Sequence, residues 1–302
     1  MVTVFLSGVE SLVMVKIKRW ISDKRYDLQY RFAKNRYEKA RPEPYFLPDE
    51  QFQSFLRRYA NIEAKPFQDY SIEAMMRRGQ EKADKLFVLI SEKKPSVLEI
   101  GAADGFVLKE LLARGAKRAV NVDISDNLNP EVKKAGVELK LISAENMSGL
   151  ESNAFDLIYS WGTFEHILNI KKVMAECTRL LKPGGVIYVE AGPLYYSPWG
   201  YHYYSILKVP YIHLLFRPGL LDEYALKKKG KQMFPWTSGN SFSVYLELIQ
   251  NFPPDIFVED FWHGYDWFSS DMIIKYPQVF RSKRVPFDDF FIDTVRLTLK
   301  KK

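Results

Sequence analysis

From Ser96 to Glu190 the chain alternates short apolar runs with amphipathic stretches. The runs Val97 to Ile100, Ala119 to Val122, Glu138 to Ile142, Phe155 to Ser160 and Val186 to Glu190 read as five buried strands. Between them, Phe106 to Arg114, Pro130 to Ala135 and Ile170 to Leu181 carry the spacing of helices with one apolar face. Strands and helices in alternation predict an α/β fold with a doubly wound, mainly parallel sheet and right-handed crossovers.

The flanking regions read differently. Met1 to about Asp84 is helical in pattern: a charged segment from Ile21 to Arg41 ends at Arg41-Pro42-Glu43-Pro44, and helices resume at Asp49 to Ala60 and Ser71 to Ile90. Beyond Gly192 the chain is rich in aromatics and proline, then returns to a helix at Ser241 to Asn251 and strands near Asp255 to Phe261 and Phe290 to Leu299. The stretch from Pro193 to Trp236 is too long for an ordinary connection and is expected to form a lid after the fifth strand. The expected organisation is an N-terminal helical region, 1–84, followed by a domain over 85–302 that carries this lid.

Composition narrows the picture slightly. With 47% hydrophobic and 27% charged residues among 302, the chain is of ordinary globular type. The net charge of +7 is concentrated at one end: ten Lys and Arg face four Asp and Glu between Met1 and Arg41. The region from Leu12 to Trp20, with Lys16, Lys18 and Arg19 beside apolar residues, suits either a solvated helix face or peripheral contact with a membrane. No basic residue precedes the apolar opening and Glu10 interrupts it, so no secretory signal is expected. The single cysteine, Cys177, falls on the apolar face of a helical pattern and is expected to be a buried small residue. It fits a reducing compartment, and a cytoplasmic location is expected.

The candidate chemistry begins at Val97-Leu98-Glu99-Ile100-Gly101-Ala102-Ala103-Asp104-Gly105, a strand that ends in small residues and opens into a helix. A ligand can approach such a backbone closely. About twenty residues on, Val120-Asn121-Val122-Asp123-Ile124 ends the second strand in a carboxylate, placed either to accept hydrogen bonds from a ribose or to cap a turn. A dinucleotide oxidoreductase shares this plan, but Asp104 lies where its pyrophosphate would sit and would repel it.

Together these residues resemble class I S-adenosylmethionine-dependent methyltransferases of the small-molecule branch. The resemblance covers roughly Lys85 to Glu190 and implies a seven-stranded Rossmann-like sheet with S-adenosylmethionine as cofactor. It places Glu99, Gly101, Ala103 and Gly105 against the methionine moiety and Asp123, with Ile124 beside it, against the ribose. Ala103 stands where a glycine is commoner. Ser143-Ala144-Glu145 is similar to the segment that meets the adenine, with Ser143 in place of the usual aspartate. Phe155 to Ser160 is similar to the fourth strand, with Ser160 and Trp161 at its pocket end, and Leu180-Leu181-Lys182-Pro183-Gly184-Gly185 is similar to the turn before the fifth.

Methyl transfer from a sulfonium requires an aligned nucleophile and, for a hydroxyl acceptor, removal of its proton, which histidine performs near neutral pH. Of the four histidines, His166 follows the fourth strand in a Glu-His pair similar to the family's, either as a base or as an anchor for the next helix. His202 lies in the run Tyr195-Tyr196-Ser197-Pro198-Trp199-Gly200-Tyr201-His202-Tyr203. There Tyr195, Tyr196, Trp199 and Tyr203 either form a wall against substrate or pack the lid onto the core. No histidine and carboxylate spacing points to zinc, so no required metal is expected.

The expected reaction is therefore O-methylation of a small-molecule or glycan acceptor. Transfer to nitrogen or carbon, or a non-catalytic cofactor-binding scaffold, is the alternative. No nucleic-acid partner is expected, since no RNA-binding or DNA-reading module is present. Oligomeric state is not readable from the sequence.

Overall fold

A computed structural model describes residues 28–62, 69–202, 206–230 and 237–302. Tyr203, part of the expected lid between 193 and 236, and the basic opening up to residue 27 lie outside the described residues. The elements follow in order: a helix over 28–39 (α1), α2 (Phe52–Arg58), α3 (Ile72–Phe87), β1 (Ser96–Ile100), α4 (Phe106–Ala113), β2 (Arg118–Asp123), α5 (Pro130–Lys134) and β3 (Glu138–Leu141). Then come β4 (Phe155–Trp161), α6 (Ile170–Leu180), β5 (Leu181–Ala191), α7 (Ile212–Leu215), α8 (Pro218–Lys229) and α9 (Phe242–Gln250). The chain closes with β6 (Ile256–Tyr265), α10 (Asp271–Lys275), α11 (Pro277–Arg281) and β7 (Ile292–Lys301). Each strand and helix expected between 96 and 191 is present.

The seven strands form one sheet in the order β3-β2-β1-β4-β5-β7-β6. The first five pair in parallel and β7 runs antiparallel to both neighbours, so the sheet is mainly parallel and Rossmann-like as expected. β1 is buried along its whole length, because helices cover both faces of a parallel sheet. Side chains on a strand alternate between faces. Leu98 and Ile100 enter one cluster with α6 and α9, while Val97 enters the other with α3 and α4. Glu99 shares the face of Val97 and so points toward α3 and α4.

Local chemistry explains the helices. Asn169 caps α6 by accepting from Lys172 N at 3.1 Å, and Ile170, Val173, Met174, Cys177 and Leu180 form its buried stripe. Cys177 is fully buried, as expected, and burial pushes its thiol well above the usual range. α3 is capped by Ser71, and its Gly79 lies against the backbone of Phe106, where an added Cβ would come within 2.8 Å of Phe106 Cβ. The expected boundary at residue 84 falls inside α3, whose Ala83 and Leu86 belong to the α4 cluster of the sheet.

A second apolar cluster is built from distant parts of the chain. Tyr37, Phe52, Phe55 and Tyr59 of the N-terminal region pack with Leu207 to Phe216 and with Met272 to Phe291. Leu47 N donates to Leu215 O at 2.8 Å, and the Tyr37 hydroxyl donates to Val285 O at 2.7 Å. Thus α1 and α2 lie on the segments that follow β5 and precede β7. Among the described residues no helix is long and apolar enough to cross a membrane.

His213 sits in this second cluster, 4% exposed and stacked on Tyr201 with ring centroids 5.4 Å apart. Its Nε2 lies 2.5 Å from Tyr195 O, so that nitrogen carries the proton and donates. Burial pushes its pKa down to about 3. Because the folded value lies below the unfolded one, stability is full above pH 6.5 and declines as the unfolded chain takes up a proton that the folded chain refuses. Urea unfolding is expected to show a loss of about 1.4 kcal/mol per pH unit below 6.5 from this group, absent in His213→Gln.

Candidate active site

The turn from Gly101 to Gly105 leaves the carboxyl end of β1 beside those of β2 and β4. Gly101, Ala103 and Gly105 all adopt left-handed conformations, with φ of 74°, 48° and 78°. Three neighbours hold the turn. Asn121 Oδ1 accepts from Ala102 N at 3.1 Å, Ser160 Oγ donates to Ile100 O at 2.9 Å, and Thr163 Oγ1 donates to Gly101 O at 3.2 Å. A Cβ on Gly101 would fall 2.3 Å from Thr163 Oγ1, and one on Gly105 2.5 Å from Leu128 Cδ2. The absent side chains therefore admit the protein's own Thr163, Leu128 and Val132. This is a second reason for glycine beside the approach of a ligand.

Ala103 is the strained member of the turn, since a left-handed conformation costs a residue with a Cβ roughly 1–2 kcal/mol. Part of that cost returns as lower chain entropy in the unfolded state. Ala103→Gly is expected to raise stability by about 0.5–1 kcal/mol in thermal or urea unfolding.

Glu99 is 3% exposed and accepts a hydrogen bond from the Tyr159 hydroxyl at 2.8 Å. Burial raises its pKa to about 7, and the Tyr159 hydroxyl and Lys82 act against that rise. The charges of Asp104 and Asp123 reach it and add to the rise, so the three carboxylates share one field. Lys82 of α3 lies with its Nζ 4.6 Å from the centre of the Trp161 ring, its pKa lowered by burial. Trp161 in turn donates through Nε1 to Glu190 Oε1 at 3.0 Å, and Glu190 Oε2 accepts from the Tyr188 hydroxyl at 2.8 Å. The site is thus acidic, with two cations of α3, Lys82 and Lys85, over the Trp161 ring on one side.

Asp123 ends β2 with its Oδ1 accepting from Ser125 N at 3.0 Å and Ser125 Oγ at 3.2 Å. Both sequence readings of this residue are therefore compatible, because the turn uses one oxygen. Ile124 beside it is 83% exposed and offers an apolar surface at the rim. Ser143 Oγ accepts from Glu145 N at 3.2 Å, and Glu145 Oε1 accepts from Asn169 N at 3.0 Å. Ala144 packs against the α6 cluster. Glu145 hence fastens the start of α6 with one of its oxygens.

His166 and His202 come together although 36 positions separate them: their ring centroids are 5.1 Å apart and nearly perpendicular. Glu165 is buried beside them, with Oε1 4.0 Å from His166 Nε2. The lid aromatics lie otherwise. Tyr195 packs edge-on against His213, Tyr196 against Phe290, and Trp199 stacks on Phe268 at 5.4 Å. Tyr195 and Tyr196 pack against the second cluster, while Trp199 is held by Phe268 outside it. Asn121, Tyr159, Thr163 and Lys82 were missed from the sequence. Asn121, a polar residue inside an otherwise apolar strand, carried the one local signal.

A methyltransferase-domain family matches residues 98–189. Similar curated proteins include the ubiquinone biosynthesis O-methyltransferase of Methylococcus capsulatus, 31% identical over 97 residues, covering 30% of this chain and 40% of that one. The protein of the same name from Neisseria meningitidis is 24% identical over 163 residues, covering 51% and 60%. The chain thus spans about half the length of these relatives. An S-adenosylmethionine-dependent methyltransferase structure from Mesorhizobium loti aligns at 15% identity with a TM-score of 0.44, covering 72% of this chain and 96% of that one. The family match thus marks residues 98–189 as a methyltransferase domain, set on the first five strands of a sheet whose order is β3-β2-β1-β4-β5-β7-β6.

Proposed function

We propose that the chain transfers the methyl group of S-adenosylmethionine to a hydroxyl of a small-molecule or glycan acceptor. The observation that carries this reading is the shared field of Glu99, Asp104 and Asp123 around a fixed turn at the carboxyl ends of β1 and β2. The cofactor carries a sulfonium and an ammonium, and these carboxylates suit two positive charges. A dinucleotide pyrophosphate would meet repulsion in the same place. The names of the curated relatives support oxygen as the acceptor atom.

When bound, the cofactor supplies an electrophilic methyl on sulfur. Glu99 would receive its ammonium, and Asp123 would accept from its ribose hydroxyls. The acceptor oxygen forms the new C–O bond as the S–C bond breaks, and the sulfonium becomes a neutral thioether. The hydroxyl proton passes to His166 or His202, whose rings adjoin. The lid from 193 onward would exclude water, and the lone buried cysteine supports a cytoplasmic setting.

Incubation with candidate acceptors should yield S-adenosylhomocysteine. His166→Ala and His202→Ala are expected to lower kcat about 100-fold or more at whichever residue is the base, with donor affinity kept. Donor binding without turnover on any hydroxyl, amine or carbon acceptor would favour a scaffold instead.

A further inference from the structure

We propose that Glu165, His166 and His202 form a binding site for one divalent transition metal ion of the zinc type. One ligand atom from each of the three lies within 4.8 Å of the other two. Ligand atoms around a tetrahedral ion with bonds of about 2.1 Å stand about 3.4 Å apart, so modest rotation of the two imidazoles closes the set. Two nitrogens and one carboxylate select zinc, cobalt or a similar ion over magnesium, which prefers an all-oxygen shell. Three protein ligands also leave positions open for a further oxygen, as in catalytic sites.

Two further observations prepare His202 for this role. Its Nε2 lies 2.8 Å from Pro193 O. A carbonyl only accepts, so the proton sits on Nε2 and Nδ1 holds the lone pair, the arrangement by which backbone carbonyls orient metal-ligating histidines. Its φ is 61°, a costly conformation for a residue with a side chain, and such strain persists where the surroundings enforce it. Glu165 is anchored as well, its carbonyl accepting from Ser238 N at 2.7 Å. Linear spacing hides the site because its third ligand arrives from the segment after β5.

Ion binding does not depend on the methyl-transfer reading. If that reading holds, the ion replaces the histidines as the activating group: with both imidazoles engaged as ligands, the open positions would take the acceptor hydroxyl, lower its pKa and let its proton leave to solvent. Cobalt(II) is titrated into the metal-stripped full chain and followed by visible absorption, with zinc and magnesium as competitors and S-adenosylmethionine calorimetry in parallel. One equivalent should bind with the intensified bands of low coordination, displaced by zinc and untouched by excess magnesium. His166→Ala, at a partly exposed position that the fold tolerates, should weaken cobalt at least about tenfold, while His263→Ala should bind as the parent does. No cobalt bands in the parent, equal binding by His166→Ala, or displacement by magnesium would each overturn the site. Loss of donor binding with cobalt binding retained would instead count against the cofactor reading alone.

Discussion

Asp123→Ala should weaken S-adenosylmethionine about 100- to 10,000-fold in calorimetric titration. A ribose diol donating to a carboxylate makes two charge-assisted hydrogen bonds, each contributing about 1.5–3 kcal/mol, and alanine removes both. The loss is not a general collapse, since Asp123 ends an edge of the site and its internal bonds reach only Ser125. Stability should fall by about 1 kcal/mol from the lost turn contacts. Asp123→Asn keeps an oxygen for Ser125 N but loses the charge, so its affinity should lie between the two. A dissociation constant within threefold of the parent's for Asp123→Ala would remove the ribose assignment.

The second large effect concerns Glu99 and pH. Its folded pKa of about 7 lies above the ordinary 4.5, so the unliganded protein gains stability from the protonated form at low pH and loses it as pH rises from 4.5 to 7. A cationic ligand prefers the ionised carboxylate. Donor affinity should therefore rise with pH, by about tenfold between pH 6 and pH 8, and then level off. Glu99→Gln should flatten this profile and bind at the weak acid-side level throughout. Tyr159→Phe removes the hydroxyl that favours ionisation, and should shift the rise to higher pH. A profile that falls across the same range would mean that the cation does not sit at Glu99.

The sheet between Ser96 and Ala191 was readable because its strands are covered on both faces and its helices on one, so each leaves its own period. Glu99 and Asp123 were readable because strand ends in such sheets gather ligands. The supports of the turn were less visible. Thr163 lies 62 positions from the glycine it crowds and Lys82 reaches the pocket from a preceding helix, and no local period links such pairs. The aromatics after β5 were open to two readings, a wall against substrate or packing onto the core, and Tyr195, Tyr196 and Trp199 meet His213, Phe290 and Phe268. A ring's sequence neighbours do not say which way it turns.

The second apolar cluster has a practical bearing on how this molecule can be re-engineered. Tyr37 and Leu47, near the start of the described chain, are tied to Val285 and Leu215, so this cluster is woven from strips that the gene keeps far apart. Grafting only the stretch after β5 from a cousin would leave those strips mismatched, and a working exchange would have to carry the head of the chain, that stretch and the one before β7 together.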